Sequence, residues 1–198
     1  MKNSKWGTES YVEKPVHVVL FCSRNKDNND LDGFVERRKS FISNKTTHEL
    51  LNDFRDFAKN GLDGEMSRFY YSVNERDMNK VRKELIHFLI DDDEFNLCSL
   101  PSKLAGISAK KENAKTKRWM FDFDTEDVTL YRNFIKDISE LDNTIEIESY
   151  KTPHGYAIVT SRGFDCRTLL GNYKDICTLK RDDLLCVSWI TKGKYDDE

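Results

Sequence analysis

The stretch "RWMFDFDTED" (118–127) sets two carboxylates, Asp122 and Asp124, at a spacing of two. In a strand, successive side chains alternate faces, so Trp119, Phe121 and Phe123 point one way and Met120, Asp122 and Asp124 the other. The two acids then share one face, about 6–7 Å apart along the chain. Such a face is either simply wet or holds something cationic. Two-metal phosphoryl-transfer sites place divalent ions roughly 3.5–4 Å apart and clamp them with carboxylates. The pair therefore suits Mg²⁺ or Mn²⁺, with waters and substrate phosphates completing the coordination.

Two further constellations carry chemistry. In "YKTPHGYAIVT" (150–160) a Pro/Gly turn exposes backbone N–H groups beside Lys151, Thr152 and His154. That is a workable cradle for a triphosphate, or a plain turn. Residues 100–118 carry Lys103, Lys110, Lys111, Lys115, Lys117 and Arg118 against a single Glu112. The stretch is either a solvated segment balancing the acidic run 91–94, or a contact for a nucleic-acid strand in which each lysine releases counterions. Other motifs fail. No P-loop is present, and "GLDG" (61–64) has Gly61 where a nucleotidyl-transferring ligase needs its lysine. His17, His48 and His87 are isolated from one another in sequence.

The elements that must position these residues follow from periodicity. "VHVVLFC" (16–22) reads as a strand buried on both faces, followed by a loop over 23–30. The spacing predicts helices over 31–42 and across "TTHELLNDFRDFAKNG", the second capped by Thr47 and ended by Gly61. A strand over 67–74 and a helix over 77–90 come next. After the Asp-x-Asp strand, residues 127–141 place Val128, Tyr131, Phe134, Ile135 and Ile138 at helical spacing. A hairpin around 150–160, a short helix over 165–173 capped by Asp165, and a last strand over 184–190 complete the order, and the tail "TKGKYDDE" reads as frayed. This is an α+β fold: one mainly antiparallel sheet with helices packed on one face and the acids on the open face.

Composition sets bounds. A chain of 198 residues can bury a real core, and 12 Phe, 8 Tyr and 3 Trp anchor one although 34% of residues are charged. A net charge of −3 gives no global case for nucleic-acid binding, so that case rests on local patches. Five scattered cysteines lack metal-ligand spacing and read as reduced thiols. The N-terminal residues lack an apolar signal region and no run reaches membrane-spanning length, which predicts a cytoplasmic protein with no membrane partner.

A strand ending in Asp-x-Asp, a helix, a hairpin with Gly and an aromatic, and a later strand with an acid together resemble the archaeo-eukaryotic primase (primase-polymerase) superfamily. "MFDFD" (120–124) is similar to its metal-binding first motif, and "TPHGYAIVT" to its nucleotide-contacting second motif. The resemblance covers roughly 115–190 and leaves 1–100 as an N-terminal strand and helix part of a single domain. It implies an RRM-like core and metal ligation by Asp122 and Asp124. "LKRDDLLCV" (179–187) then supplies a third acid from Asp182 or Asp183, with Lys180 and Arg181 on phosphates. Lys151, Thr152, His154 and Tyr156 would lie on the nucleotide. Where the family reads Gly-Tyr-His, this chain reads Gly155-Tyr156-Ala157, and His154 offers an imidazole from another direction. The chain also looks like small proteins carried by phages, which implies a host-cytoplasm setting.

Three readings follow. The first is a primase-polymerase-like nucleotidyltransferase working with nucleic acid, a nucleoside triphosphate and a replication partner such as a helicase. The second is a catalytically inactive nucleic-acid or nucleotide-binding module. The third is a phage protein that inhibits a host factor.

Overall fold

A computed structural model of the chain describes residues 14–92 and 94–193. The N-terminal residues, the tail beyond 193 and Asp93 of the acidic run lie outside them.

The first half begins with β1 (His17–Ser23), a one-turn α1 (Asn25–Asn28), β2 (Arg37–Ser43), α2 (Leu51–Lys59) and β3 (Met66–Ser72). The helix predicted over 31–42 is instead β2, paired antiparallel with β1 from Ser23↔Arg37 to His17↔Ser43. Gly33, at φ 74°, breaks any helix there. Pairing then sets the pattern: Phe41 packs edge-on against Phe21, centroids 5.5 Å apart, so contact across the sheet overrides local spacing. The α2 entry is capped one residue earlier than expected. Thr46 Oγ1 accepts from Glu49 N (3.2 Å) while Glu49 Oε2 accepts from Thr46 N (2.7 Å), a reciprocal capping box. Thr47 caps nothing with its side chain.

Next come α3 (Met78–Asp91), capped by Asp77, and α4 (Leu100–Ser108). The second half runs β4 (Trp119–Phe123), α5 (Val128–Leu141), β5 (Ile147–Thr152), β6 (Gly155–Thr160), α6 (Arg167–Asn172), β7 (Cys177–Lys180) and β8 (Leu184–Thr191). Asp127 caps α5 by accepting from Thr129 N and Leu130 N. Asp165 does not cap α6 from the first position outside it, which Cys166 occupies.

The fold is α+β with two antiparallel four-stranded sheets, ordered β2-β1-β3-β8 and β5-β6-β4-β7. The second sheet is the β-α-β-β-α-β arrangement expected of an RRM-like core. Its fourth strand is β7, which the sequence reading missed; the strand predicted at the end of this core, β8, leaves it and pairs with β3 instead. The chain thereby stitches the two sheets together.

Alternation along β4 is as predicted. Phe121 and Phe123 are fully buried with Phe134 and Ile138 of α5, Ile158 of β6 and Leu169 of α6. On the first sheet, Val19, Phe21 and Phe69 bury against Leu50 and Phe54 at α2. The other face of the second sheet is not open as expected. Edge strand β8 lies against it, and Leu185 joins Val73, Met120, Ala157 and Val159 in a third buried cluster. Burial of these apolar surfaces holds the sheets in a fixed relation. Among the described residues no helix is long and apolar enough to cross a membrane.

Candidate functional site

A cleft of about 440 Å³ opens where one face of the first sheet meets the inner face of the second. Asp122, Asp124 and Asp183 line it from the second sheet and from the turn joining β7 to β8. Asp122 is half-buried beside Met120. Burial raises its carboxyl above the ordinary carboxylate range, and the charges of Asp124 and Asp183 push the same way while Lys180 opposes them. Lys180 Nζ stands 4.0 Å from Asp183 Oδ2, a loose and half-exposed contact. The acids are therefore under-neutralised within the protein. Among the described residues no three His, Cys, Asp or Glu side chains form a preassembled metal cage. One or two carboxylates with waters and substrate phosphates is the usual mode for Mg²⁺, and the all-oxygen donor set fits Mg²⁺ or Mn²⁺.

The facing wall is cationic. Arg24, Lys26, Arg38 and Arg68 line the cleft from the first sheet, the β1–α1 turn and α1. Arg68 sits on β3 between Ser67 and Phe69, on the face opposite Phe69, and is only 5% exposed. Its Nη2 donates to Asp27 Oδ1 (2.6 Å). Asp27 also accepts from Arg24 Nε at 2.9 Å. Burial alone would raise the Asp27 carboxyl, but the hydrogen bonds from Arg24 and Arg68 hold it below the ordinary range. Arg68 Nε is buried with no protein partner.

The β5–β6 hairpin closes one side. His154, at its tip, places Nε2 at 3.1 Å from Arg68 Nη2. Arginine only donates, so Nε2 accepts and the ring proton sits on Nδ1. Thr152 lines the same cleft. The turn is tight against β4: a Cβ on Gly155 would stand 2.1 Å from the Phe123 carbonyl oxygen, so only glycine fits there. Ala157 is the direct cross-strand partner of Asp122.

Other predicted residues are placed elsewhere. Lys151 and Tyr156 are cross-strand partners on the helix-covered face, where Tyr156 stacks on Tyr131 at 4.1 Å between centroids. Arg181 lies 5.3 Å over the Trp119 ring, on that same side. Asp182 turns inward and is consumed by Arg76: Nη1 to Oδ2 is 2.8 Å, Nη2 to Oδ1 is 3.0 Å, and Asn74 Nδ2 adds a third bond at 3.0 Å. Of the two aspartates only Asp183 reaches the cleft. The basic stretch does not line it either. Lys110 pairs with Glu84, Lys115 with Glu75 and Arg118 with Glu148, while Lys111 and Lys117 are exposed.

Sequence reasoning missed the cationic wall. The signal was present in "SRFYYS", where Arg68 interrupts an apolar strand on the face opposite Phe69 and Tyr71, but its partner Asp27 is 41 residues away. Thiol chemistry has no support here. Cys22 and Cys186 line the cleft, but burial raises both, Cys186 to about 11, which keeps it a protonated thiol. No family model, curated protein or solved structure matches the chain.

Proposed function

We propose that the chain is a divalent-cation-dependent nucleotidyltransferase of the primase-polymerase type, acting on nucleic acid in the cytoplasm. The observation that carries this reading is the polarity of the cleft: Asp122, Asp124 and Asp183 on one wall, and Arg24, Lys26, Arg38 and Arg68 on the other. A nucleoside triphosphate complements both, its phosphates toward the guanidinium groups and its bound cation toward the acids. A cation bound there supplies charge stabilisation on the attacking and leaving oxygens. The protein's own groups do the positioning. Arg68, fixed by Asp27, lines the cleft as a positive charge that attracts phosphate, Lys180 stands beside Asp183, and His154 ties the hairpin tip to Arg68. The test is incorporation of labelled nucleotide on primed and unprimed templates with Mg²⁺ and Mn²⁺. Activity in wild type, lost in Asp122→Asn and reduced in Arg68→Gln, supports the reading.

A second reading, a binding module without turnover, is favoured by Ala157 beside Asp122. Ala157→His would place an imidazole on that strand. Background incorporation in wild type, Ala157→His and Asp122→Asn alike, with nucleotide binding retained in all three, selects the module.

A further inference from the structure

A second cleft, of about 330 Å³, lies across the first sheet from the acid cleft. Alternation separates the two: Leu184 and Cys186 face the acid cleft, Leu185 and Val187 the second one. Its walls carry aromatic rings from both sheets. His17 of β1 stacks on Tyr71 of β3, centroids 4.4 Å apart and planes 24° from parallel, and Tyr150 of β5 stands on the opposing sheet.

The polar handles of these rings are already committed. His17 Nδ1 donates to the Ser72 carbonyl at 2.9 Å, and the Tyr71 hydroxyl to the Lys45 carbonyl at 3.0 Å. The Tyr150 hydroxyl donates to Glu148 Oε2 at 2.6 Å, while Arg118 Nη2 holds Glu148 Oε1 at 2.7 Å. Burial lowers His17 and raises Tyr71 and Tyr150 to about 12, so all three rings are neutral. The aromatic wall is thus rigid and uncharged, with the Arg118–Glu148 ion pair at its rim. That combination suits a flat heteroaromatic ring attached to a phosphate: the ring stacks and the arginine meets the phosphate.

Two features choose a strand over a free nucleotide. Arg118 ends the basic stretch, and the exposed Lys117 precedes it, so positive charge continues along the chain away from the cleft. Arg118 also immediately precedes β4, whose acidic end lies about 13 Å further on at the rise of an extended strand. Asn74 fixes this geometry by accepting from Arg118 N at 2.7 Å and from Thr116 Oγ1 at 2.8 Å.

We propose that the second cleft binds an unpaired base of single-stranded nucleic acid, the base stacking on the aromatic wall and Arg118 exchanging Glu148 for its phosphate. The proposed function enters only in choosing nucleic acid as the ligand class.

The test is fluorescence anisotropy of the full chain with labelled single-stranded homopolymers, against duplex and nucleoside monophosphate competitors. The strand should bind more tightly than either competitor. Tyr150→Ala should weaken strand binding roughly 5- to 150-fold, the range for one lost stacking contact. Tyr150→Phe should retain binding, and Arg118→Gln should weaken it and lower its salt dependence. Because Tyr150→Ala can perturb folding, a strand carrying 5-bromouracil is cross-linked to wild type in parallel, with the adduct expected on the peptides of Tyr71 or Tyr150. Strand binding unchanged by both Tyr150→Ala and Arg118→Gln, adducts confined to the acid cleft, equal binding by the monophosphate, or no strand binding at all would each overturn the proposal. The double change Asp122→Asn with Asp124→Asn should leave strand binding intact. No incorporation by wild type, with strand binding retained, therefore strikes only the reading of the acid cleft, whereas no strand binding by wild type strikes this one.

Discussion

Asp182 and Asp183 are neighbours in the chain and opposites in the structure. Asp182 has a side chain 4% exposed, closed by a bidentate bond to Arg76, itself 1% exposed, and by Asn74. Asp183 stands in the acid cleft with Lys180 no closer than 4.0 Å. The first charge is matched by the protein; the second leaves an imbalance that a ligand can correct. The structural carboxylate has its acceptor positions answered from within, whereas Asp183, 45% exposed and accepting only from Leu184 N at 2.8 Å, keeps oxygens open to a cation. The two guanidinium groups repeat the contrast only in part. Arg76 gives both terminal nitrogens to Asp182, while Arg68 shares one among Asp27 and His154.

The largest expected effect breaks the closed pair. Asp182→Ala should cost about 3–5 kcal/mol of stability by leaving the Arg76 charge buried and unpaired. Asp183→Ala should cost well under half of that, because its contact is exposed and loose. Urea unfolding midpoints of the two variants decide it; equal losses would mean that Asp183 is structural as well. Next in size is the response to cation. Mn²⁺ at about 100 times its dissociation constant should raise wild-type stability by about 2.7 kcal/mol. The same addition to Asp122→Asn with Asp124→Asn should do nothing, as read by thermal unfolding. A rise in the double variant equal to that in wild type would move the cation away from these acids.

These contrasts show what the sequence disclosed and what it withheld. The acids of β4, the aromatic underside of Phe121 and Phe123, and the β-α-β-β-α part of the second sheet's order were legible because each rests on a period of two or 3.6 within one segment. The β2 strand was not, because Phe41 earns its place only against Phe21. Nor was the departure of β8 to the first sheet, which hydrophobic pattern alone does not set. The split between Asp182 and Asp183 depends on Arg76, over a hundred residues earlier, and the cationic wall on Asp27 meeting Arg68. Local chemistry is written locally; charge matching is a property of the assembled sheets.

The lysines sharpen the same contrast at the surface. Changing Lys110, Lys111, Lys115 and Lys117 together to Gln would be expected to remove four phosphate contacts if all were free. Lys110 and Lys115 already pair with Glu84 and Glu75, leaving Lys111 and Lys117 exposed. Changing only those two should reduce the slope of log affinity against log salt for single strands by about 1.4. Adding the other two changes should deepen the loss little. Titration at several salt concentrations measures this, and a slope falling in four equal steps would show that the surface pairs open on binding.

The smallest effect is a pH dependence whose sign follows from Asp122. Its carboxyl is raised in the folded chain by burial and by Asp124, against about 3.9 when unfolded. Below that range both states hold the proton and Asp122 contributes nothing. As pH rises past it, the unfolded chain releases its proton first, so the folded state binds more protons and stability falls until the folded carboxyl has ionised as well. Asp122→Asn removes this loss. The variant should therefore equal wild type in acid and become the more stable of the two as pH rises through and above the carboxylate range, with the difference flat thereafter. Unfolding midpoints of both proteins across that range, without added cation, provide the measurement. Adding Mn²⁺ should reverse the order at neutral pH, because only wild type then gains a ligand that answers the charge. A variant less stable than wild type at neutral pH without cation would place Asp122 with Asp182, among the carboxylates that the fold already satisfies.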